Sequence, residues 1–297
     1  SSAFAEFERM GFPTTKVEKY KYTDVDELFA PDYGVNVKRF EFPVNPYDAF
    51  KCNVPNMSSS LYFVVNDSFY DKVQPNVALP EGVIVDSLSK VAQANPDLVA
   101  RYYSKIADSS VDAVTAFNTA FVQDGVFVYV PRNVVVSRPI QLVNILRSDV
   151  DMMVNRRVLI VVEDGAQLCL LTCDHAMDER NFLATQVIEA YVGNGATLDF
   201  NELEETHTQS RRISNTYLSQ QADSTVKLNS LTLHNGTTRN MVEAYLVGRG
   251  ASLFMNGMAI EDKNQHVDNN TFIEHRVSDC QSNELYKYVL NDSAVGA

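Results

Sequence analysis

Cys169-Leu-Leu-Thr-Cys173-Asp-His175 gathers two thiols and an imidazole into one short stretch. Side chains alternate along a strand, so Cys169, Leu171 and Cys173 share a face there, and His175 joins them if the strand continues. Thiolates and imidazole suit zinc or iron–sulfur chemistry, which makes Cys169, Cys173 and His175 a candidate metal set. A Cys-x-x-x-Cys pair with no second pair equally describes small buried hydrophobes in a β core. His266, His275 and Cys280 form a second candidate set, with Asp268 available to orient a histidine. The repeat spacing described below places the two histidines at neighbouring corners. Their other reading is as hydrogen-bonded turn and core residues. His207 and His234 fall in polar segments and read as solvated. Glu202, Glu204 and Glu205 read as a charge cluster on an outward strand face, and Cys52 lies in a loop-like stretch by itself. No catalytic residue and no firmly bound cofactor follows from these patterns. The sequence has no Gly-x-x-x-x-Gly-Lys-Ser/Thr loop, so P-loop ATP binding is not expected.

The elements that must position these residues repeat. Val162-Glu-Asp-Gly-Ala-Gln-Leu168 returns as Val192-Gly-Asn-Gly-Ala-Thr-Leu198 and again as Val247-Gly-Arg-Gly-Ala-Ser-Leu253. A degenerate copy, Leu218-Ser-Gln-Gln-Ala-Asp-Ser-Thr-Val226, fills the gap. Aligning Gly165, Gly195, Asp223 and Gly250 gives steps of 30, 28 and 27 residues. Val187-Ile-Glu-Ala-Tyr191 also returns, as Met241-Val-Glu-Ala-Tyr245. Asp164-Gly165, Asn194-Gly195 and Arg249-Gly250 read as corners, because glycine reaches positive φ without a Cβ clash. After each corner, Leu168 and Leu170, Leu198 and Phe200, Val226 and Leu228, and Leu253 and Met255 alternate with period two. A single coil of this length cannot bury its apolar face, so coils must stack. The expected fold is mainly β: a right-handed parallel β-helix, or β-solenoid. Val126-Phe-Val-Tyr-Val130 followed by Pro131-Arg-Asn133 aligns one coil earlier.

Residues 1–110 read differently, as an N-terminal mixed α/β capping region ahead of a solenoid over 111–297. Thr23 precedes an acidic first turn at Asp24-Val-Asp-Glu-Leu-Phe29, which predicts a capped short helix. Pro31, Pro43, Pro46 and Pro55 punctuate loops, and Leu61–Val65 reads as a strand ending at Asn66-Asp67. Asp86 or Ser87 caps a helix over Leu88–Ala94, and Pro96 opens another to about Ala107. Asp112–Phe121 is a further short helix. At the other end, Leu285–Leu290 reads as a strand with no capping helix after it. The expectation is either a fragment or an edge open for pairing, a homodimer included.

The 297 residues carry a net charge of −13, which argues against nucleic acid and anionic membrane surfaces as partners. No apolar run is long enough to span a bilayer. Four cysteines in a chain of this length do not read as a disulfide framework, so the expected compartment is the cytoplasm.

Three ordered motifs resemble the SufB/SufD family of iron–sulfur cluster assembly proteins. The first is Gly11-Phe-Pro-Thr-Thr-Lys-Val-Glu-Lys-Tyr-Lys-Tyr-Thr23, whose form is most like SufD. The second is Phe117-Asn-Thr-Ala-Phe121 with Asp124-Gly125, Tyr129-Val-Pro131 and Pro139-Ile-Gln-Leu142. The third is His266-Val-Asp-Asn-Asn-Thr271 with His275, Cys280, Ser282 and Leu285-Tyr-Lys-Tyr-Val-Leu290. The resemblance implies a parallel β-helix with helical flanks. It also implies a non-enzymatic scaffold role beside a SufB-like β-helix protein and a SufC-type ATPase, in cluster assembly and iron acquisition. Iron or an iron–sulfur cluster would then be transient cargo at a partner interface. The family's Cys-x-His-Gly-Ala-Thr motif has no counterpart in this sequence, so its interface residues are not carried over. The rival expectation is a secreted-type β-helix enzyme acting on polysaccharide.

Overall fold

Gly165, Gly195, Asp223 and Gly250 all take positive φ, at 66°, 62°, 55° and 78°. The four aligned positions are therefore true corners in a computed structural model that describes residues 2–35, 45–46, 59–72 and 77–297. Two further corners belong to the same series: Asn133 at 59° and Asp279 at 63°. The corners are tied along the stack by backbone hydrogen bonds, Gly165 N–H to Asn194 O (2.8 Å) and Gly195 N–H to Ala222 O (2.8 Å) among them.

Between corners the chain runs as strands. These are β1 (Gly34–Val35), β2 (Ser60–Val65), β3 (Ser68–Phe69), β4 (Ile84–Ser87), β5 (Val126–Val130) and β6 (Ile140–Leu146). Next come β7 (Met152–Val162), β8 (Gln167–Ala176), β9 (Phe182–Val192), β10 (Thr197–Glu205), β11 (Ser210–Gln220) and β12 (Thr225–His234). The last are β13 (Thr237–Leu246), β14 (Ser252–Glu261), β15 (His266–His275), β16 (Gln281–Leu290) and β17 (Val295–Gly296). Odd-numbered strands from β5 to β17 form one sheet, which also takes β4 at its end and β1 beside β7. Even-numbered strands from β6 to β16 form the second, which ends in β2 and β3. Pairing from β5 onward is parallel. Thr197 lies opposite Thr225, Thr225 opposite Ser252, and Ser252 opposite Gln281, steps of 28, 27 and 29. The fold is the expected parallel β-solenoid.

The period-two sets point inward as read. Leu168, Leu170, Leu198, Phe200, Val226, Leu253 and Met255 share one buried cluster with Val158, Ile160, Ile188, Ala190 and Leu218 from the facing sheet. Burial of this continuous apolar column is the main favourable term for a stack whose single coils could not fold.

The chain ahead of β5 supplies helices Ser2–Met10, Val25–Phe29, Leu88–Ala94, Pro96–Tyr102 and Ala113–Phe121. Asp24, Ser87, Asn95 and Asp112 are the N-caps, each accepting a backbone N–H from three residues on. Its strands join the sheets directly: β2 pairs parallel with β6, and β4 pairs antiparallel with β5. The helix begun at Pro96 stops at Tyr102, five residues short of the expected Ala107. The amides of Ser104, Ile106 and Ala107 turn instead to the buried Glu189 carboxylate, at 2.9, 3.2 and 3.1 Å. Pro43, Cys52 and Pro55 lie outside the described residues.

Candidate functional site

Strand β8 presents Cys169, Leu171, Cys173 and His175 on its outer side, because Leu168, Leu170 and Asp174 point inward. The alternation expected from sequence therefore holds, but the four side chains are strung along the strand and do not converge. Cys173 is fully buried, with Gln141 Nε2 at 3.4 Å from its sulfur. Cys169 is half-buried, and burial together with Asp199 raises its pKa. The Cys169 environment therefore does not favour a thiolate. His175 Nδ1 stands 4.0 Å from Glu205 on the next strand, and burial lowers its pKa despite that neighbour and Asp174.

His266 and His275 do not sit at neighbouring corners. Both lie on β15, at its two ends. Nine residues apart on one strand, they point to opposite faces. Burial lowers the His266 pKa, with Asp268 pulling the other way. Asp268 orients the N-terminal segment rather than a metal ligand: it accepts the Thr23 hydroxyl at 2.7 Å and lies 3.8 Å from Arg239. His275 Nε2 is 3.0 Å from Ser282 Oγ. Cys280 donates to Gly248 O at 3.4 Å, at a corner. His207 and His234 each bond a backbone carbonyl, of Asp178 (2.8 Å) and Thr206 (2.9 Å). Among the described residues, no three His, Cys, Asp or Glu side chains are grouped so as to hold a metal ion.

The three glutamates do not share one outward strand face. Only Glu205 faces outward. Glu202 and Glu204 have the parity of Leu198 and Phe200 and so enter the solenoid. Inside, Arg156 Nη1 donates to Asp174 at 2.6 Å, and Arg212 binds the other oxygen of the same carboxylate. Arg212 also reaches Glu204 at 3.5 Å, and the Thr238 hydroxyl bonds Glu204 at 2.8 Å. Burial opposes the Asp174 charge, but Arg212 and Arg156 outweigh it and its pKa falls. None of Arg156, Asp174 or Arg212 had marked itself in sequence, since an isolated charge in an apolar strand carries no motif.

The outer face of the first sheet is covered by the N-terminal region through buried polar contacts. Tyr20 donates to Asp112 at 2.6 Å, and its ring lies under the Arg239 guanidinium at 3.9 Å. Thr115 Oγ1 meets the Tyr217 hydroxyl at 2.7 Å, and Asn215 donates to Asp112 at 3.0 Å. Arg157 and Glu189, both fully buried, pair at 2.6 Å. Buried polar groups are tolerated only when matched, so these contacts fix one docking geometry.

The outer face of the second sheet is different. It carries a groove of about 600 Å³ lined by Cys169, Leu171, Leu203, Leu231, Met258 and Leu285 along an amide ladder. In the ladder, Asn229 donates to Asn201 at 2.9 Å and Asn256 donates to Asn229 at 3.0 Å. Phe254, Met258, Ile260 and Leu285 are 39–50% exposed there, a mostly apolar surface of the kind that binds protein.

Comparison with known proteins matches both parts of the chain. Residues 1–142 match the family model described as the SufBD protein N-terminal region. Residues 144–297 match the SufBD core domain of SUF system FeS cluster assembly. An iron–sulfur cluster assembly SufBD family protein of Synechocystis sp. is 22% identical over 291 residues, covering 95% of this chain and 63% of the relative. Iron–sulfur cluster assembly protein SufD of Bacillus subtilis is 29% identical over 127 residues, covering 42% of this chain and 29% of the relative. An Arabidopsis thaliana SufBD family protein is 30% identical over 121 residues, 40% of this chain and 26% of the relative. The matched share thus stays under two thirds of the length of these relatives.

Proposed function

The chain belongs to the SufB/SufD family, and on that premise we propose that it is a scaffold component of a SUF-type iron–sulfur cluster assembly complex. Its work is done by surfaces rather than by a catalytic residue. The pairing partner is a SufB-like β-helix protein, the source of ATP hydrolysis is a SufC-type ATPase, and the complex works in the cytoplasm. Iron or a nascent cluster is cargo at a partner interface. Among the described residues no helix is long and apolar enough to cross a membrane.

The observation that carries this reading is that two SufBD family models tile the chain almost end to end. The exposed apolar groove on the second sheet supports a role in contact with other proteins. Depleting the gene in its own organism should lower the activity of several iron–sulfur enzymes together, without lowering their polypeptide levels. Restoring the gene should restore the activities. Unchanged iron–sulfur enzyme activity after depletion would overturn the proposal.

A further inference from the structure

One side of the solenoid interior is apolar along the whole stack, but the side that carries Arg156, Asp174, Glu202, Glu204, Arg212 and Glu261 is strongly polar. Two guanidiniums, Arg156 and Arg212, face four carboxyl groups: Asp174, Glu202, Glu204 and Glu261. If all ionised, this interior would hold two negative charges in excess, and Asp67 beside Arg156 adds to the same sign. Uncompensated charge in a buried site is unstable and is relieved by proton uptake.

Hydrogen bonding identifies which carboxyls take the protons. Asp174 is held by both arginines, and Glu204 by Arg212 and Thr238. Glu202 Oε1 and both oxygens of Glu261 are buried without a hydrogen-bond partner among the described residues. Glu202 borders a small cavity of about 20 Å³ lined also by Thr216, Ser230, Asn240, Asn269 and Tyr286. That space admits roughly one water, which can bond the carboxyl but cannot neutralise it.

We propose that the solenoid interior is a two-proton site, in which Glu202 and Glu261 are held as neutral carboxylic acids and release their protons as pH rises, loosening the coils that carry them. The groups facing Glu202 are Arg212, Asp174, Glu204 and Tyr286, and Glu204 faces Glu261. Burial pushes the Glu202 pKa up to about 7, with Arg212 opposing and Asp174 and Glu204 adding to the rise. Burial and Glu204 push Glu261 up to about 7 as well. The ordinary value for both is 4.5. The folded state therefore binds more protons than the unfolded state between these values. Stability from this site is present below the lower value and is lost as pH rises through the upper one.

The test uses the full-length protein. In D₂O at about pH 6, infrared spectra of the wild type should show a protonated-carboxyl C=O band that E202Q/E261Q lacks. Unfolding at that pH should release about two more protons per molecule from the wild type than from E202Q/E261Q. The wild-type thermal midpoint should fall between about pH 5 and about pH 8, and the variant profile should be flatter. Glutamine is close in shape to the neutral acid, so the variant is expected to fold, and the infrared band of the wild type stands without it. A wild type with no protonated-carboxyl band, or a variant with the wild-type proton release and pH profile, would overturn the proposal.

Discussion

Glu189→Gln should loosen the attachment of the N-terminal region more than its single lost charge implies. The Glu189 carboxylate is fully buried and receives four donors. Oε2 takes Arg157 Nη2 at 2.6 Å and Ser104 N–H at 2.9 Å, while Oε1 takes Ile106 N–H at 3.2 Å and Ala107 N–H at 3.1 Å. A glutamine offers one acceptor oxygen. Its NH₂ must therefore confront either the Arg157–Ser104 pair or the Ile106–Ala107 pair, donor against donor. Each stranded buried donor costs about 1–3 kcal/mol, and breaking a buried ion pair from one side costs about 3–5 kcal/mol. We expect a loss of about 3–5 kcal/mol in urea unfolding. Hydrogen exchange should quicken at Ser104, Ile106 and Ala107 before it quickens in β9 and β11, because local opening needs less than the global transition. In a double-mutant cycle with Arg157→Met, the second substitution should cost much less than it does alone. A loss below about 1 kcal/mol with unchanged exchange at those three amides would show that this carboxylate does not hold the crossing in place.

Two further outcomes follow from the packing. Gly248→Ala should cost about 1–3 kcal/mol, read as a lower thermal midpoint, because a Cβ there runs into the backbone nitrogen of Ala222 on the neighbouring coil, which cannot move aside. Brief maleimide labelling of the native protein, read by peptide mass spectrometry, should modify Cys169 and spare the fully buried Cys173. Equal labelling of the two would mean that the outer side of β8 is more open than the structure has it.

The corners were legible because glycine followed by a small residue is the economical solution to a left-handed turn that must stack. Asp223 was found only through spacing, and Asn133 and Asp279 show that short polar side chains fill the same conformation without announcing it. Strand parity was also legible. Leu198 and Phe200 fix the inward set, and following that parity onward places Glu202 and Glu204 inside, where charge alone suggested solvent. His266 and His275 illustrate the reverse error: solenoid spacing was applied to residues that belong to a single strand. The shortened helix after Pro96 depends on Glu189, some 85 residues away, which no local pattern encodes. The interior Arg156–Asp174–Arg212 cluster was out of reach for the same reason, since its members come together only across sheets and coils.

The most direct test of the scaffold reading is the native mass of the full-length gene product, co-expressed with the SufB-like protein and the SufC-type ATPase of its organism and purified anaerobically under reducing conditions. The expected result is one stable assembly containing all three polypeptides. Elution of this protein by itself, with the other two assembled without it, would contradict the account.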